Sequence, residues 1–148
     1  MERFQLLCVV NILLIKDKKI LLMRRMNTGY RDGDYEVPAG HIDGGEPVTI
    51  AAIREAKEEI GVNIKKEDLR VVHVMHRYGE KHERIEFFLI ADKWEGEPTI
   101  TEPDKCDDLQ WFSLGDLPEN TIPKARHGIE QYKLGVIFSE FDWSLSEK

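Results

Sequence analysis

The chain of 148 residues contains little cysteine, no long hydrophobic run and no long run of basic residues. Its two cysteines, Cys8 and Cys106, are far apart and form no CxxC unit, so they predict neither a disulfide framework nor a zinc site. The apolar run at residues 6–15 is too short to span a bilayer and lacks the flanking features of a signal peptide. It is typical of a core strand, and we expect a cytoplasmic protein without a membrane partner.

The charge of the chain also limits its partners. The formal net charge is −7, and no stripe of basic residues is present. This argues against a protein that binds long nucleic acids through their phosphates. It does not exclude a nucleotide substrate, because carboxylates can hold an anionic phosphate through a bridging Mg²⁺ ion. The length and the ordinary balance of apolar and charged residues predict a single domain over residues 1–148.

The order of local patterns predicts an α/β fold. Helical spacing occurs at residues 48–60 and 122–134, and the aromatic segment 138–143 is expected to pack on the body of the domain. Strand-like patterns occupy residues 5–15, 19–25, 35–37, 68–77, 83–94 and 109–114. This order predicts a mixed β-sheet that lies between helices.

Residues 40–62, GHIDGGEPVTIAAIREAKEEIGV, combine glycines at both ends with a helical apolar pattern, and we call this segment the box. Apolar residues recur with helical spacing between Val48 and Ile60. Pro47 suits the first turn of such a helix, and Gly61 suits a left-handed position just after its end. The box therefore predicts a loop, a helix and a second loop.

The helix of the box carries a cluster of acidic residues. Glu55, Glu58 and Glu59 stand at positions i, i+3 and i+4, so their carboxylates project from one face. Like charges at this spacing repel, whereas a divalent cation that prefers oxygen ligands would turn the repulsion into a binding site. The alternative is a solvated helix face in which the glutamates pair with basic neighbours such as Arg54. The glycines and Glu46 at fixed offsets favour the metal site.

The box resembles the signature of the Nudix hydrolases, which cleave a nucleoside diphosphate linked to another group. Every defined position is filled, and the one departure is Ala56, which is smaller than the usual aliphatic residue. The resemblance implies an α/β/α sandwich over nearly the whole chain. It implies that Glu46 supports the acidic cluster and that Arg54 orients a box glutamate. It also implies a Mg²⁺ site, in which Mn²⁺ can substitute, with the ligands Glu55, Glu58, Glu59 and the backbone carbonyl of Ala39.

A further carboxylate is expected from outside the box. Residues 94–102, WEGEPTITE, resemble the corresponding loop of the MutT-type nucleoside triphosphate pyrophosphatases. In that subgroup a glutamate eight residues after the tryptophan approaches the metals and serves as general base, and Glu102 has this spacing from Trp94. Three nearby acids are rival candidates, namely Asp104, Asp107 and Asp108.

The resemblance to the MutT type also implies residues that contact the substrate. Arg25, at the end of the second strand, is expected to bind phosphate, whereas Arg24 would point to the opposite face of a regular strand. The alternative for either arginine is a charged strand end without contact to substrate. Asn120 lies where the subgroup has an asparagine that reads a base, and a turn or N-cap is its alternative role. Gly40 would let a ligand approach the main chain. Tyr35 is among the aromatic residues that could stack on a base.

The reaction implied by these residues is hydrolysis of a nucleoside triphosphate to a monophosphate and pyrophosphate. The alternatives are cleavage of ADP-ribose, another nucleotide sugar or a dinucleoside polyphosphate, and a nucleotide-sensing module without catalysis. The isomerase that shares the fold requires a catalytic cysteine, and neither cysteine of this chain is convincing in that role. The expected partner is a small nucleotide, and the expected assembly is a monomer or a homodimer.

Overall fold

The computed structural model describes residues 2–143, which form eight β-strands and two α-helices. The helices are α1 (Val48–Ile60) and α2 (Pro123–Lys133), and a short 3-10 helix spans Lys66–Asp68. The strands are β1 (Leu7–Lys16), β2 (Lys19–Arg25), β3 (Tyr35–Glu36), β4 (Ala39–His41), β5 (Leu69–Gly79), β6 (His82–Ala91), β7 (Cys106–Ser113) and β8 (Phe138–Phe141). No helix within this part of the chain is long and apolar enough to cross a bilayer.

The strands form one mixed sheet around β1. Its order is β3-β2-β1-β6-β5-β8, and β4 and β7 extend it by pairing with β1 and β2. The pairs β1–β6 and β5–β8 are parallel, and the remaining pairs are antiparallel. The predicted fold class, a mixed sheet combined with helices, is confirmed.

Strand β1 carries apolar side chains on both faces because it is buried between two layers. Val10 and Ile12 pack in a core cluster with the apolar side of α1. Leu13 points to the other face, where it belongs to a second cluster that includes Ile129 of α2. The two helices therefore cover opposite faces of the sheet, which is the expected α/β/α arrangement.

Helix α1 has the bounds that the sequence predicts. It begins directly after Pro47, and its end is capped by Gly61, whose N–H donates to the carbonyl of Lys57 at 3.1 Å. Gly61 has a φ of 73°, a left-handed conformation that glycine adopts at little cost. Local sequence thus fixes both ends of α1, and with them the direction in which its glutamates project.

The strands depart from the sequence predictions where long-range pairing sets their ends. Strand β6 ends at Ala91, and Trp94 leaves the strand and stacks on Trp111 with ring centroids 5.9 Å apart. Strand β7 begins at Cys106, earlier than residue 109, because it pairs along the whole of β2. The aromatic tail packs back on the domain as predicted, and Phe138–Phe141 does so as a strand parallel to β5.

Candidate active site

A cavity of about 780 Å³ is lined by residues of both helices and of several strands. Its volume lies within the range of about 300–1,000 Å³ that is typical of small-molecule sites. Five of the residues that the sequence singles out lie on its wall: Arg25, Ala39, Gly40, Glu59 and Glu102. The fold therefore brings the box, the end of β2 and the loop before β7 to one place.

Arg54 links the acidic residues of the box to one another. Its guanidinium donates to Glu46 at 2.7 and 3.2 Å, to Glu55 at 2.9 Å, to Glu58 at 3.3 Å and to the carbonyl of His41 at 3.2 Å. Charge-assisted hydrogen bonds of this kind restrict the orientation of both partners. The arrangement supports the roles proposed for Arg54 in orienting the box glutamates and for Glu46 in supporting them.

The three box glutamates differ in exposure and in proton affinity. Glu55 is buried, Glu59 is partly buried and Glu58 is exposed. Burial and the negative charge of Glu55 raise the pKa of Glu59 to about 8, against the hydrogen bond of 3.3 Å that it accepts from the N–H of Ala39. Burial also raises the pKa of Glu55, against its hydrogen bond from Arg54. Two neighbouring desolvated carboxylates form an environment that favours a bound cation.

The box offers the right ligand atoms for a divalent metal ion, although its side chains are not gathered around one point. Within residues 2–143, no three acidic, histidine or cysteine side chains converge closely enough to define a metal site. Glu55 and Glu58 are instead both held by Arg54. The donor atoms are nevertheless carboxylate and carbonyl oxygens, which Mg²⁺ prefers. The raised pKa of Glu59 is consistent with a cation site, because burial and the charge of Glu55 disfavour the ionised carboxylate in the absence of a cation.

Gly40 lies directly against the carboxylate of Glu55. A Cβ atom at position 40 would stand 2.1 Å from Cδ of Glu55 and 2.2 and 2.4 Å from its two oxygens. These distances are far shorter than any real contact between nonbonded atoms. Glycine at this position therefore allows the buried carboxylate to lie against β4.

The change Gly40→Ala is expected to displace the Glu55 carboxylate and to weaken Mg²⁺ binding by about 10–100-fold. The measurement is the Mg²⁺ concentration that gives half-maximal activity. Gly115→Ala is the matched control, since its added Cβ would come no closer than 3.9 Å to a neighbouring atom. An unchanged Mg²⁺ requirement in a folded Gly40→Ala protein would contradict the assignment of Glu55.

Of the four acids outside the box that the sequence offers as candidates, Glu102 is the one that lies on the cavity wall. Its carboxylate is 51% exposed and 4.0 Å from the ammonium of Lys105. Its negative charge contributes to the raised pKa of Glu59, so the two carboxylates are electrostatically coupled. Two of the rival acids contact other side chains. Asp107 pairs with Arg24 at 2.8 Å, and Asp108 accepts hydrogen bonds from Tyr35 and Gln110.

Arg25 and Arg24 both contribute to the cavity wall. Arg25 is anchored because its Nε donates to the carbonyl of Tyr30 at 2.7 Å and its guanidinium lies over the Tyr30 ring at 5.2 Å. The expectation that only one arginine reaches the cavity assumed a regular strand. The pairing of β2 with β7 shifts register between Arg24 and Arg25, and this irregularity breaks the strict alternation of side chains.

Five of the predicted site residues do not line the cavity, namely Arg54, Glu55, Glu58, Tyr35 and Asn120. The last two are engaged elsewhere in the fold. Tyr35 is buried, packs edge to face on Phe112 with centroids 5.0 Å apart, and donates its hydroxyl to Asp108. Asn120 donates its side-chain amide to the carbonyl of Gly33 at 2.8 Å, and its own carbonyl accepts the N–H of Tyr35 at 2.8 Å. These contacts favour core packing for Tyr35 and the alternative turn role for Asn120.

A buried ionic network forms part of the wall, and the sequence analysis missed it. Lys124, only 5% exposed, donates to Asn11 at 2.7 Å and to Glu86 at 2.9 Å, and it lies 3.2 Å from Glu36. Arg77 joins the network through Glu86 at 3.0 Å. The available signal was a polar residue within an apolar strand pattern, as Asn11 is within β1 and Glu86 is next to Phe87 and Phe88. These residues connect the central strand to α2.

The comparisons with known proteins agree with this fold. A family model described as the NUDIX domain matches residues 6–132, which is most of the chain. The chain therefore belongs to the Nudix family. The membership predicted from the box is confirmed, and with it, at the level of the family, the predicted class of enzyme, a phosphoanhydride hydrolase.

Relatives within the family carry the names of different substrates. An ADP-ribose pyrophosphatase of Methanocaldococcus jannaschii is 33% identical over 104 residues, which span 70% of this chain but only 60% of that protein. The 8-oxo-dGTP diphosphatase of Escherichia coli is 27% identical over 129 residues, which span 87% of this chain and 95% of that protein. A crystal structure of a MutT Nudix hydrolase from Burkholderia pseudomallei has a TM-score of 0.79 at 28% identity and covers 86% of this chain and 98% of that one.

Proposed function

We propose that the chain hydrolyses a nucleoside triphosphate to a nucleoside monophosphate and pyrophosphate in a reaction that requires a divalent cation. The observation that carries the proposal is a nucleotide-sized cavity in which Glu59 and Glu102 share one wall with Arg25. Carboxylates suit a hard cation, and a guanidinium suits phosphate. Similarity over 87% of the chain to a protein named 8-oxo-dGTP diphosphatase supports the choice of a triphosphate. The spacing from Trp94 to Glu102 supports it as well.

The residues of the chain would divide the chemistry among them. A Mg²⁺ or Mn²⁺ ion bound by Glu55, Glu58, Glu59 and the carbonyl of Ala39 would polarise the phosphates and lower the pKa of a water molecule. Glu102 would accept the proton of the attacking water. Arg25, anchored through the carbonyl of Tyr30, would neutralise negative charge on a phosphoryl oxygen. Arg54 would keep Glu55 and Glu58 oriented.

A second candidate function is the hydrolysis of ADP-ribose. It is favoured by the M. jannaschii relative, which has the higher identity of the two named above, 33% against 27%. The match spans 60% of that relative, compared with 95% of the 8-oxo-dGTP diphosphatase. Because the latter relative is matched nearly end to end, the triphosphate is the preferred substrate.

The experiment is a substrate panel with products resolved by chromatography in the presence of Mg²⁺. The panel contains the common and 8-oxo nucleoside triphosphates, ADP-ribose, nucleotide sugars and diadenosine polyphosphates. We expect one triphosphate to give monophosphate and pyrophosphate at the highest kcat/KM. Preferred cleavage of ADP-ribose would establish the second candidate, and binding without turnover would indicate a nucleotide-sensing module.

The role of Glu102 is tested in the same assay. The change Glu102→Gln is expected to lower kcat by about 10²-fold, the scale of a lost general base. Glu97→Gln is the matched control, because Glu97 is an exposed glutamate of the same loop and does not line the cavity. Equal rates for the two variants would indicate that a box glutamate, and not Glu102, is the general base.

A further inference from the structure

Two buried polar atoms in the cavity wall have no hydrogen-bond partner among the described residues. They are Oε1 of Glu36 and Nε of Arg84, and the third such side-chain atom in residues 2–143 belongs to His127. Glu36 is 5% exposed, and its Oε1 lies 3.2 Å from the ammonium of Lys124 without a well-directed hydrogen bond. Buried donors and acceptors are normally satisfied. One acceptor and one donor left over in the same cavity therefore indicate a ligand that supplies both.

Arg84 is held in position by the turn between β5 and β6. Its Nη1 donates to the carboxylate of Glu80 at 2.7 Å. Glu80 and Lys81 form the turn with φ angles of 48° and 68°, and Glu80 also accepts from Arg77 at 3.0 and 3.3 Å. These contacts fix one edge of the Arg84 guanidinium against protein and leave the Nε without a partner in the described part of the chain. Arg84 is thus preorganised as a hydrogen-bond donor.

Glu36 and Arg84 belong to the same part of the wall. Arg84 and Glu86 are two residues apart on β6, so their side chains lie on one face of the sheet with Cα atoms about 7 Å apart. Glu86 contacts Lys124 at 2.9 Å, and Lys124 in turn lies 3.2 Å from Glu36. The buried network therefore connects the unsatisfied acceptor to the strand that carries the unsatisfied donor.

The charged groups at this part of the wall are paired. The cations of Arg77, Arg84 and Lys124 face the anions of Glu36, Glu80 and Glu86 through ion pairs of 2.7 to 3.2 Å, and Arg25 lies 3.8 Å from Glu36. Because each of these cations already faces a carboxylate, an uncharged group with its own donors and acceptors fits this part of the wall better than a phosphate does. Val9, Met23 and Val37 also line the cavity and supply apolar surface for the faces of a flat ring. These properties fit a nucleobase.

We propose that Arg84 and Glu36 determine specificity by hydrogen bonding to the edge of the substrate's base, Arg84 as donor and Glu36 as acceptor. Glu80 and Lys124 are the positioning residues that hold them. The inference rests on the proposed function in one respect, because it assumes that the ligand of the cavity is a nucleotide. It gives the wall formed by β3 and β6 a role in substrate choice.

The test measures binding rather than turnover. Calorimetry with Mg²⁺ gives Kd for AMP, GMP, CMP, UMP and ribose 5-phosphate with the full chain and with the variant Arg84→Met. The exposed arginine of β5, in Arg70→Met, is the control. For the unmodified chain, we expect at least one nucleotide to bind about tenfold more tightly than ribose 5-phosphate, a difference of about 1.4 kcal/mol. Arg84→Met should remove this difference, and Arg70→Met should retain it.

Several outcomes decide whether Arg84 contacts the base of the nucleotide. Equal weakening of ribose 5-phosphate and the nucleotides would make Arg84 a phosphate ligand and overturn the inference, as would unchanged affinities. Arg84→Lys, which keeps the ion pair with Glu80 and loses the Nε donor, provides the same comparison if Arg84→Met does not fold. If the unmodified chain hydrolyses no triphosphate and Arg84→Met still removes base-dependent binding, the result supports this inference and rejects the proposed function. With an active chain, Arg84→Met should raise KM and leave kcat within about twofold.

Discussion

Replacement of Glu59 by Gln is expected to lower turnover by about 10³-fold, comparable to the loss of a general base, because it removes a proposed ligand of the cation that activates the water. The carboxylate lies on the cavity wall and belongs to one of the three glutamates that share one face of α1. Glutamine preserves its size and removes its charge, so the fold should be retained. Initial rates at saturating Mg²⁺ measure the effect. Glu67→Gln, at an exposed position in the 3-10 helix, is the control.

The same change is expected to stabilise the metal-free protein. Because the pKa of Glu59 is raised from 4.5 to about 8 in the folded chain, the folded state binds this proton more tightly than the unfolded state does. The stabilisation from the protonated form is complete below pH 4.5 and is lost as the pH rises through about 8. Glutamine resembles the protonated form, so the stability advantage of Glu59→Gln should grow over this interval.

Thermal unfolding in EDTA at several pH values tests that expectation. At pH 8.5, a gain of about 1 kcal/mol would raise Tm by roughly 3 °C for a domain of this size. Near pH 4.5 the variant and the unmodified chain should unfold at nearly the same temperature. Mg²⁺ should stabilise the unmodified chain more than the variant, since a ligand that binds only the folded state raises its stability. A Tm difference that does not change with pH would contradict the assigned cause.

The second large effect is expected for Lys124→Met, which should lower the free energy of unfolding by about 3–5 kcal/mol. The ammonium is buried between Glu36 at 3.2 Å and Glu86 at 2.9 Å and donates to Asn11 at 2.7 Å. Burial alone would raise the pKa of Glu86, but the charge of Lys124 and the hydrogen bond from Asn11 lower it to about 2. Removing the cation leaves both carboxylates desolvated without their main partner.

Urea denaturation measures this loss, and Lys133→Met is the matched control on the exposed side of the same helix. Adding Glu86→Gln to Lys124→Met should recover part of the stability, because it removes one of the two stranded charges. If Lys124→Met were no less stable than Lys133→Met, the buried network would contribute little to the free energy of unfolding.

The part of the site that follows from local sequence could be predicted, and the part that depends on distant segments could not. Pro47 and Gly61 define α1 from within the box, so the spacing of Glu55, Glu58 and Glu59 carries over directly to their placement on one helix. The same locality explains why residues 48–60 have the expected bounds. The pair proposed to read the base is not local, since Arg84 and Glu36 come from separate strands.

The predicted ends of β6 and β7 were wrong because they also depend on contacts with distant segments. Whether β6 continues to Trp94 depends on the ring of Trp111, and the start of β7 depends on β2. Tyr35 and Asn120 are engaged by Asp108 and Gly33, contacts that no pattern within residues 35–37 or 117–122 encodes. A residue type at a family position indicates a role only when the surrounding loop brings it to the cavity.

The pairing of β1 has a consequence for the synthesis of the protein. Residue Leu7 pairs with Arg84, and Asn11 binds Lys124 across 113 positions of the sequence. Contacts between such distant segments form slowly, because a long loop must close before they contribute. A chain still attached to the ribosome therefore exposes the whole box before α2 emerges. The acidic residues of the nascent protein are present before the cavity beside them can close.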